Sequence, residues 1–238
     1  MSETKEPFLQ FPLGALAVKS TDWKDSLQHI LSFCLVRVGD GIEDVDNESA
    51  KIERAASVLH VKLNGSLGRI RDQARAVRML GYGYGTDAEV RIAHRIFWAC
   101  HNDGAPTWNE FRVLCGIYSA IGNKPFARCS IDSLRMRSAG CRKAALYSPK
   151  THLPLLGEKE VRLCVDRLWL GGFFARFTYR RRLTFYSHRL TADALRQQVV
   201  ALCVQSQEKI AAARKADAAF SFSVRANSCE PEANQGRT

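Results

Sequence analysis

Three consecutive arginines, Arg180, Arg181 and Arg182, interrupt the most strand-like stretch of the chain, GGFFARFTYRRRLTFYSHRL (171–190). Phe, Tyr and Thr favour extended backbone, and successive residues of a strand face opposite ways. Two strands, 173–179 and 183–188, are therefore predicted to meet at a turn made of guanidiniums. In the first, Phe173, Ala175, Phe177 and Tyr179 alternate with Phe174, Arg176 and Thr178, and the first set is one candidate core face. A hairpin that only completes a core needs no charge at its tip; one that touches phosphate does. Just upstream, GEKEVRLCVDRLWLGG (157–172) places Val161, Cys164, Val165 and Leu168 on one helical face. Lys159, Arg162, Leu163 and Asp166 fall on the opposite side, with Arg167 at its margin, and Gly171-Gly172 stops the helix. The chemistry offered here is the recognition of a polyanion by charge and hydrogen bonding.

Bond-making chemistry finds less support. The six histidines, His29, His60, His94, His101, His152 and His188, form no H-E-x-x-H motif, and no G-x-S-x-G is present. A metal-dependent nuclease needs converging carboxylates. The acids near the arginines are only Asp132, Glu158, Glu160 and Asp166, and Glu158 and Glu160 stand two apart on a helix, facing different ways. Tyr179 and Tyr186 lack the histidine-hydrophobe-histidine partner that a strand-transfer nucleophile requires. The eight cysteines contain no C-x-x-C pair and sit mostly among apolar residues, as in LSFCLV and VALCVQ, which predicts buried thiols. The expectation is a non-enzymatic protein with no cofactor and no metal.

Charge placement sharpens the expectation of a polyanionic partner. The formal net charge is +11, and residues 124–190 hold 15 Lys/Arg against four Asp/Glu, while the rest of the chain holds 20 of each. A solvated surface usually mixes its signs, so one concentrated block implies an anionic partner. No apolar run is long enough to span a membrane, and the N-terminus lacks a signal peptide's positive-then-apolar order. A cytoplasmic protein without a membrane partner is expected.

The elements that must hold these residues can be read in turn. FPLGALAV (11–18) suits an extended lead-in. Asp22 caps a helix across DWKDSLQHILSFCLVRV, and an acidic loop (39–49) separates it from a second helix over 47–64. Two further helices flank the glycine-tyrosine turn 81–85, which lacks the Lys-Ser/Thr of a phosphate-binding loop. Thr107 and Glu110 form a capping box at the start of TWNEFRVLCGIYSAIGN. KPFARCS then crosses in extended form. Ser130 opens a helix with Ile131, Leu134, Met136 and Ala139 inward, Arg135, Arg137, Arg142 and Lys143 on its other faces, and a break at Gly140. Thr191 caps a long helix over 191–219 with Leu195, Val199, Leu202 and Cys203 as its buried stripe, and 220–238 reads as a disordered tail.

Helix, crossing, helix, turn, helix and hairpin in this order resemble a winged helix-turn-helix domain over about residues 105–190. The resemblance is most specific at EKEVRLCVDRLWLGGFFARFTYRRRLTFYSHRL, and plasmid or phage replication initiators and many bacterial regulators look similar there. It implies a mainly α fold with a small β-hairpin wing. A helical N-terminal region (1–104) would serve oligomerisation, as a homodimer, or bind a protein partner. The winged-helix domain (105–190), the C-terminal helix (191–219) and the tail (220–238) would follow. The implied partner is double-stranded DNA. The 157–172 helix would enter the major groove, where Lys159 and Arg162 donate to guanine O6 and N7 and Asp166 accepts from cytosine N4. Arg180, Arg181 and Arg182 would meet the backbone or the minor groove, with Arg167 and Arg176 beside them. Arg128, Arg135, Arg137, Arg142 and Lys143 would bind phosphates. The competing expectation is a non-enzymatic subunit of a larger nucleoprotein or defence-related complex that uses the basic face on RNA or on a protein.

Overall fold

The computed structural model describes residues 8–18, 22–63, 65–83 and 88–227. Leu9 and Phe11 alternate with Phe8 and Gln10, and this period-two pattern makes strand β1, Phe8–Pro12. It pairs antiparallel with β2, Glu89–Ala93, in the register Leu9↔Ile92 and Phe11↔Val90, so four apolar side chains share one buried face. The sequence reading places a helix across β2. The strand forms because its partner arrives from 80 residues upstream, a contact that local periodicity does not carry. Helix continues only after it, in the short α4, His94–Trp98, and the single wide turn Ala99–Asp103.

Around this ribbon lie α1, Trp23–Asp40, α2, Glu48–Val58, and α3, Leu67–Gly83. Asp22 accepts from the Lys24 amide at the start of α1, as its residue type demands. The glycine-tyrosine turn falls partly within α3, and residues 84–87 lie outside the described residues.

The central element is α5, Trp108–Ile121, which touches β2 and, later in the chain, two helices and two strands. Its capping box is complete: the Glu110 amide donates to Thr107 Oγ1 at 3.4 Å, and Glu110 accepts from the Thr107 amide at 2.9 Å. There follow β3, Ala127–Arg128, α6, Ile131–Ser138, and α7, Glu158–Leu170. Then come β4, Ala175–Tyr179, and β5, Leu183–Ser187. The three strands form one antiparallel sheet in the order β3-β5-β4. Gly140 ends α6 with a φ of +85°, and a Cβ there would meet the Ala17 Cβ at 3.2 Å. Only glycine suits both constraints.

One buried cluster runs from Leu9 through α5 to Tyr186, so the segments 1–104 and 105–190 share a core. Val161, Cys164, Val165 and Leu168 are all buried, on the face that helical spacing assigns them. In the hairpin the inward residue is Phe174, while Phe173, Ala175, Phe177 and Tyr179 are half-buried. Gly172, at a φ of +74°, lies in the turn between α7 and β4.

The chain divides into two compact units, Met1–Leu195 and Arg196–Thr238. Helix α8, Ala192–Asn227, starts at Thr191, whose hydroxyl accepts from the Ala194 amide. Leu195 and Val199 are buried, but Leu202 is 45% exposed and Cys203 half-buried, so the predicted stripe stops short. The helix also continues through 220–227, where the sequence reading begins a tail. No Gly or Pro interrupts 192–227, and the run AAARKADAA favours helix. Residues 228–238 lie outside the described residues.

Candidate nucleic-acid interface

A groove of about 590 Å³ opens between the N-terminal half of α7, the start of α6 and the face of the β3-β5-β4 sheet. Arg128, Arg162, Asp166, Arg176, Arg181 and Arg182, all singled out from sequence, line it. They come from four elements and are gathered by the antiparallel sheet, which sets β4 and β5 against the flank of α7. Asp132 and Glu158 add two carboxylates that sequence reasoning placed only as ordinary acids.

The arginines divide by their partners. Arg162 Nη2 lies 2.6 Å from Glu158 Oε1, one helical turn away, with both side chains more than half exposed. Arg176 donates to Asp166 at 2.5 Å and stacks over the Trp169 ring, its guanidinium 4.4 Å from the centroid. That pair clamps β4 to α7, so Asp166 already has a partner on this side. Arg167 reaches Glu110 at the start of α5 at 3.4 Å, and Glu160 accepts from Asn109 at 2.7 Å. These two contacts fix the tilt of α7 on α5.

On α6, Arg135 donates to the Leu156 carbonyl at 2.9 Å and pairs with Asp132. Arg137 donates to Ser119 Oγ at 2.9 Å, and its buried Nε has no partner. Burial pushes the Arg137 guanidinium below the usual arginine range. Both side chains turn into the fold. Arg128, Arg142, Lys143, Lys159, Arg180, Arg181 and Arg182 are exposed and make no ion pair among the described residues. Arg142 and Lys143 follow α6 and do not line the groove.

The hairpin tip is conformationally unusual. Arg180 and Arg181 both have positive φ, +47° and +57°, and the Arg182 amide closes the turn onto the Tyr179 carbonyl at 3.1 Å. Positive φ at both central residues is the habit of Asn-Gly or Gly-Gly hairpins, because a Cβ is crowded there. Asn, Asp or Gly would fit more easily. The outward face of α7 also carries apolar residues: Leu163, Trp169 and Leu170 are 50%, 41% and 79% exposed.

Tyr186 is buried, and burial pushes its phenol up to about 12, which keeps it protonated. Cys129, also in the groove wall, is raised by burial. Among the described residues no group of three His, Cys, Asp or Glu could hold a metal ion, and no helix is long and apolar enough to cross a membrane. Comparison with known protein families, curated proteins and solved structures finds no match.

Proposed function

We propose that this chain is a non-enzymatic, sequence-specific double-stranded DNA-binding protein of winged-helix type. It would act in the cytoplasm as a replication initiator or transcriptional regulator of a bacterium or mobile element. The observation that carries the reading is the arginine tip of the β4–β5 hairpin standing beside the exposed side of α7. The element order, a helix, an extended crossing, two helices and a hairpin, supports this reading. An α-helix fits the major groove of B-form DNA, and side chains on its outer face reach base edges.

The partners sort the roles. Arg162 is engaged only by an exposed pair one turn away, worth about 0.3–0.5 kcal/mol. A bidentate contact to guanine discriminates by about 1–3 kcal/mol, so Arg162 leaves Glu158 when a guanine is presented. Lys159 lies one turn nearer the helix start and is unengaged. Arg180, Arg181 and Arg182 meet backbone phosphate or a narrow minor groove, and Arg128 adds a phosphate contact from β3. Arg135, Arg137, Arg167 and Arg176 act by holding the frame.

A second reading rests on Leu163, Trp169 and Leu170. Exposed apolar residues on α7 suit a protein partner, as in a subunit of a nucleoprotein or defence-related assembly that uses its basic face on RNA. Titrating labelled duplex and single-stranded RNA at two salt concentrations separates the two. Duplex binding that weakens steeply with salt is expected, with Arg162→Ala relaxing sequence preference. A preference for RNA, or no duplex binding at low salt, sinks the first reading.

A further inference from the structure

A second cleft, of about 990 Å³, shares no wall with the arginine groove. It lies at the other end of β4 and β5 from the hairpin tip, where Ala175 pairs with Ser187. Its walls come from β1 and β2 (Phe8, Arg91), α5 (Tyr118), the Gly171–Phe173 reversal, and His188 and Arg189 after β5. No Asp or Glu lines it.

Two of the three arginines that line this cleft, Arg91 and Arg189, are positioned without a carboxylate partner among the described residues. Arg189 donates to the Gly122 and Asn123 carbonyls at 3.1 and 2.9 Å and to His188 Nε2 at 3.3 Å. All three acceptors are neutral, and a guanidinium has five N–H groups, so two remain. Arg91 makes no ion pair among the described residues and lies over the Phe8 ring. Burial, and then the charge of Arg189, push the Arg91 guanidinium below the usual arginine range.

His188 is the second oddity. Its Nε2 accepts from Arg189, so its proton sits on Nδ1, and that buried atom has no partner. Burial, then Arg189 and Arg91, push the imidazole down to about 4, so the ring is neutral at physiological pH. Two guanidiniums with no carboxylate beside them, next to a neutral imidazole, make a site short of an acceptor-rich anion. Gly172, with open space where a side chain would stand, leaves the cleft accessible, and Phe8, Tyr118 and Phe173 supply apolar walls.

We propose that this cleft binds a phosphorylated small molecule of mononucleotide size, its phosphate received by Arg91 and Arg189 and its ring system lying against Phe8 and Phe173. A cleft of this size matches ligands of that class. The site stands whether or not the arginine groove takes DNA.

The test uses the full chain with ADP, AMP and inorganic pyrophosphate as probes and adenosine as the uncharged control, read by calorimetry and thermal melting. ADP and AMP should bind saturably and raise the melting temperature, and adenosine should bind far more weakly. Arg91→Ala should weaken ADP binding about tenfold or more, since it removes a charge-assisted contact. Arg181→Ala, at the hairpin tip, should leave ADP binding unchanged. Arg91 is exposed, so its replacement is expected to keep the fold, which the unliganded melt verifies. Duplex binding is measured on both variants: Arg91→Ala should retain it and Arg181→Ala should weaken it. Absence of saturable binding by any phosphorylated probe overturns the proposal. So does undiminished ADP binding to Arg91→Ala, or equal loss of ADP and duplex binding in that variant, which makes the cleft part of the nucleic-acid face.

Discussion

At Arg180 and Arg181 two energies oppose each other. Holding a non-glycine residue in left-handed backbone costs roughly 1–2 kcal/mol. The turn carries that strain twice, at φ of +47° and +57°, with side chains that no fold contact requires beyond Arg180 lying 5.3 Å from the Tyr179 ring centroid. Strain of this kind persists where a function needs the side chain. The double replacement Arg180→Asn with Arg181→Gly supplies the residues that such hairpins prefer. It should stabilise the protein by roughly 1–2 kcal/mol, seen as a higher melting temperature. Duplex affinity should fall in the same variant. A more stable variant with unchanged affinity removes the arginine tip from any binding role. The arginine run and its place in a hairpin are legible in the sequence. The strain is not, because it depends on the register Tyr179↔Leu183, which leaves only three residues for the reversal.

Between elements, buried arginine does work that composition disguises as surface charge. Arg112 is 5% exposed within α5. It donates to the Ser138 carbonyl at the end of α6, to the Pro154 carbonyl in the loop before α7, and to Asn109. With Arg135 on Leu156, it pins the long α6–α7 connection, and burial pushes its guanidinium down to about 10. Arg112→Met keeps the apolar stem but leaves two carbonyls without their donor. The Ser138 carbonyl is buried and would be left unsatisfied, while Pro154 is exposed and its carbonyl can meet water, so a loss of about 1–3 kcal/mol is expected in urea unfolding, with an unchanged m-value. A loss below about 1 kcal/mol shows that water replaces the guanidinium and that the loop is held by other means. Local signals found the elements that carry their own boundaries. Thr107 and Glu110 mark α5, and the spacing of Val161, Cys164, Val165 and Leu168 marks α7. Strand β2 escaped because Val90 and Ile92 give only two alternations, and its pairing with Leu9 and Phe11 is long-range.

Across the molecule, the question is which positive charges act together. The excess charge lies within 124–190 in the chain, yet folding sends it to different fates. Arg135 and Arg137 turn inward, Arg167 and Arg176 are paired, and Arg189 joins Arg91, from outside the block, in the second cleft. Net charge is readable from sequence, but the partner of each charge is not. Glu110 and Arg167 are separated by 57 positions, and no spacing rule links them. The remaining unpaired set near the groove is Arg128, Lys159 and the three tip residues, with Arg162 released from Glu158. If Arg128 and the three tip residues each meet one phosphate while Lys159 and Arg162 face base edges, duplex affinity should fall with salt at a log–log slope of about −3.6, taking roughly 0.9 per phosphate met. Replacing Arg180, Arg181 and Arg182 together by Ala should reduce the slope by about 2.7, three phosphates' worth. Arg91→Ala, in the other cleft, should leave it unchanged. Anisotropy titrations across a salt series measure all three proteins. A slope that the triple replacement leaves intact means the hairpin stands clear of the nucleic acid, and a slope lowered by Arg91→Ala means the two basic surfaces act as one.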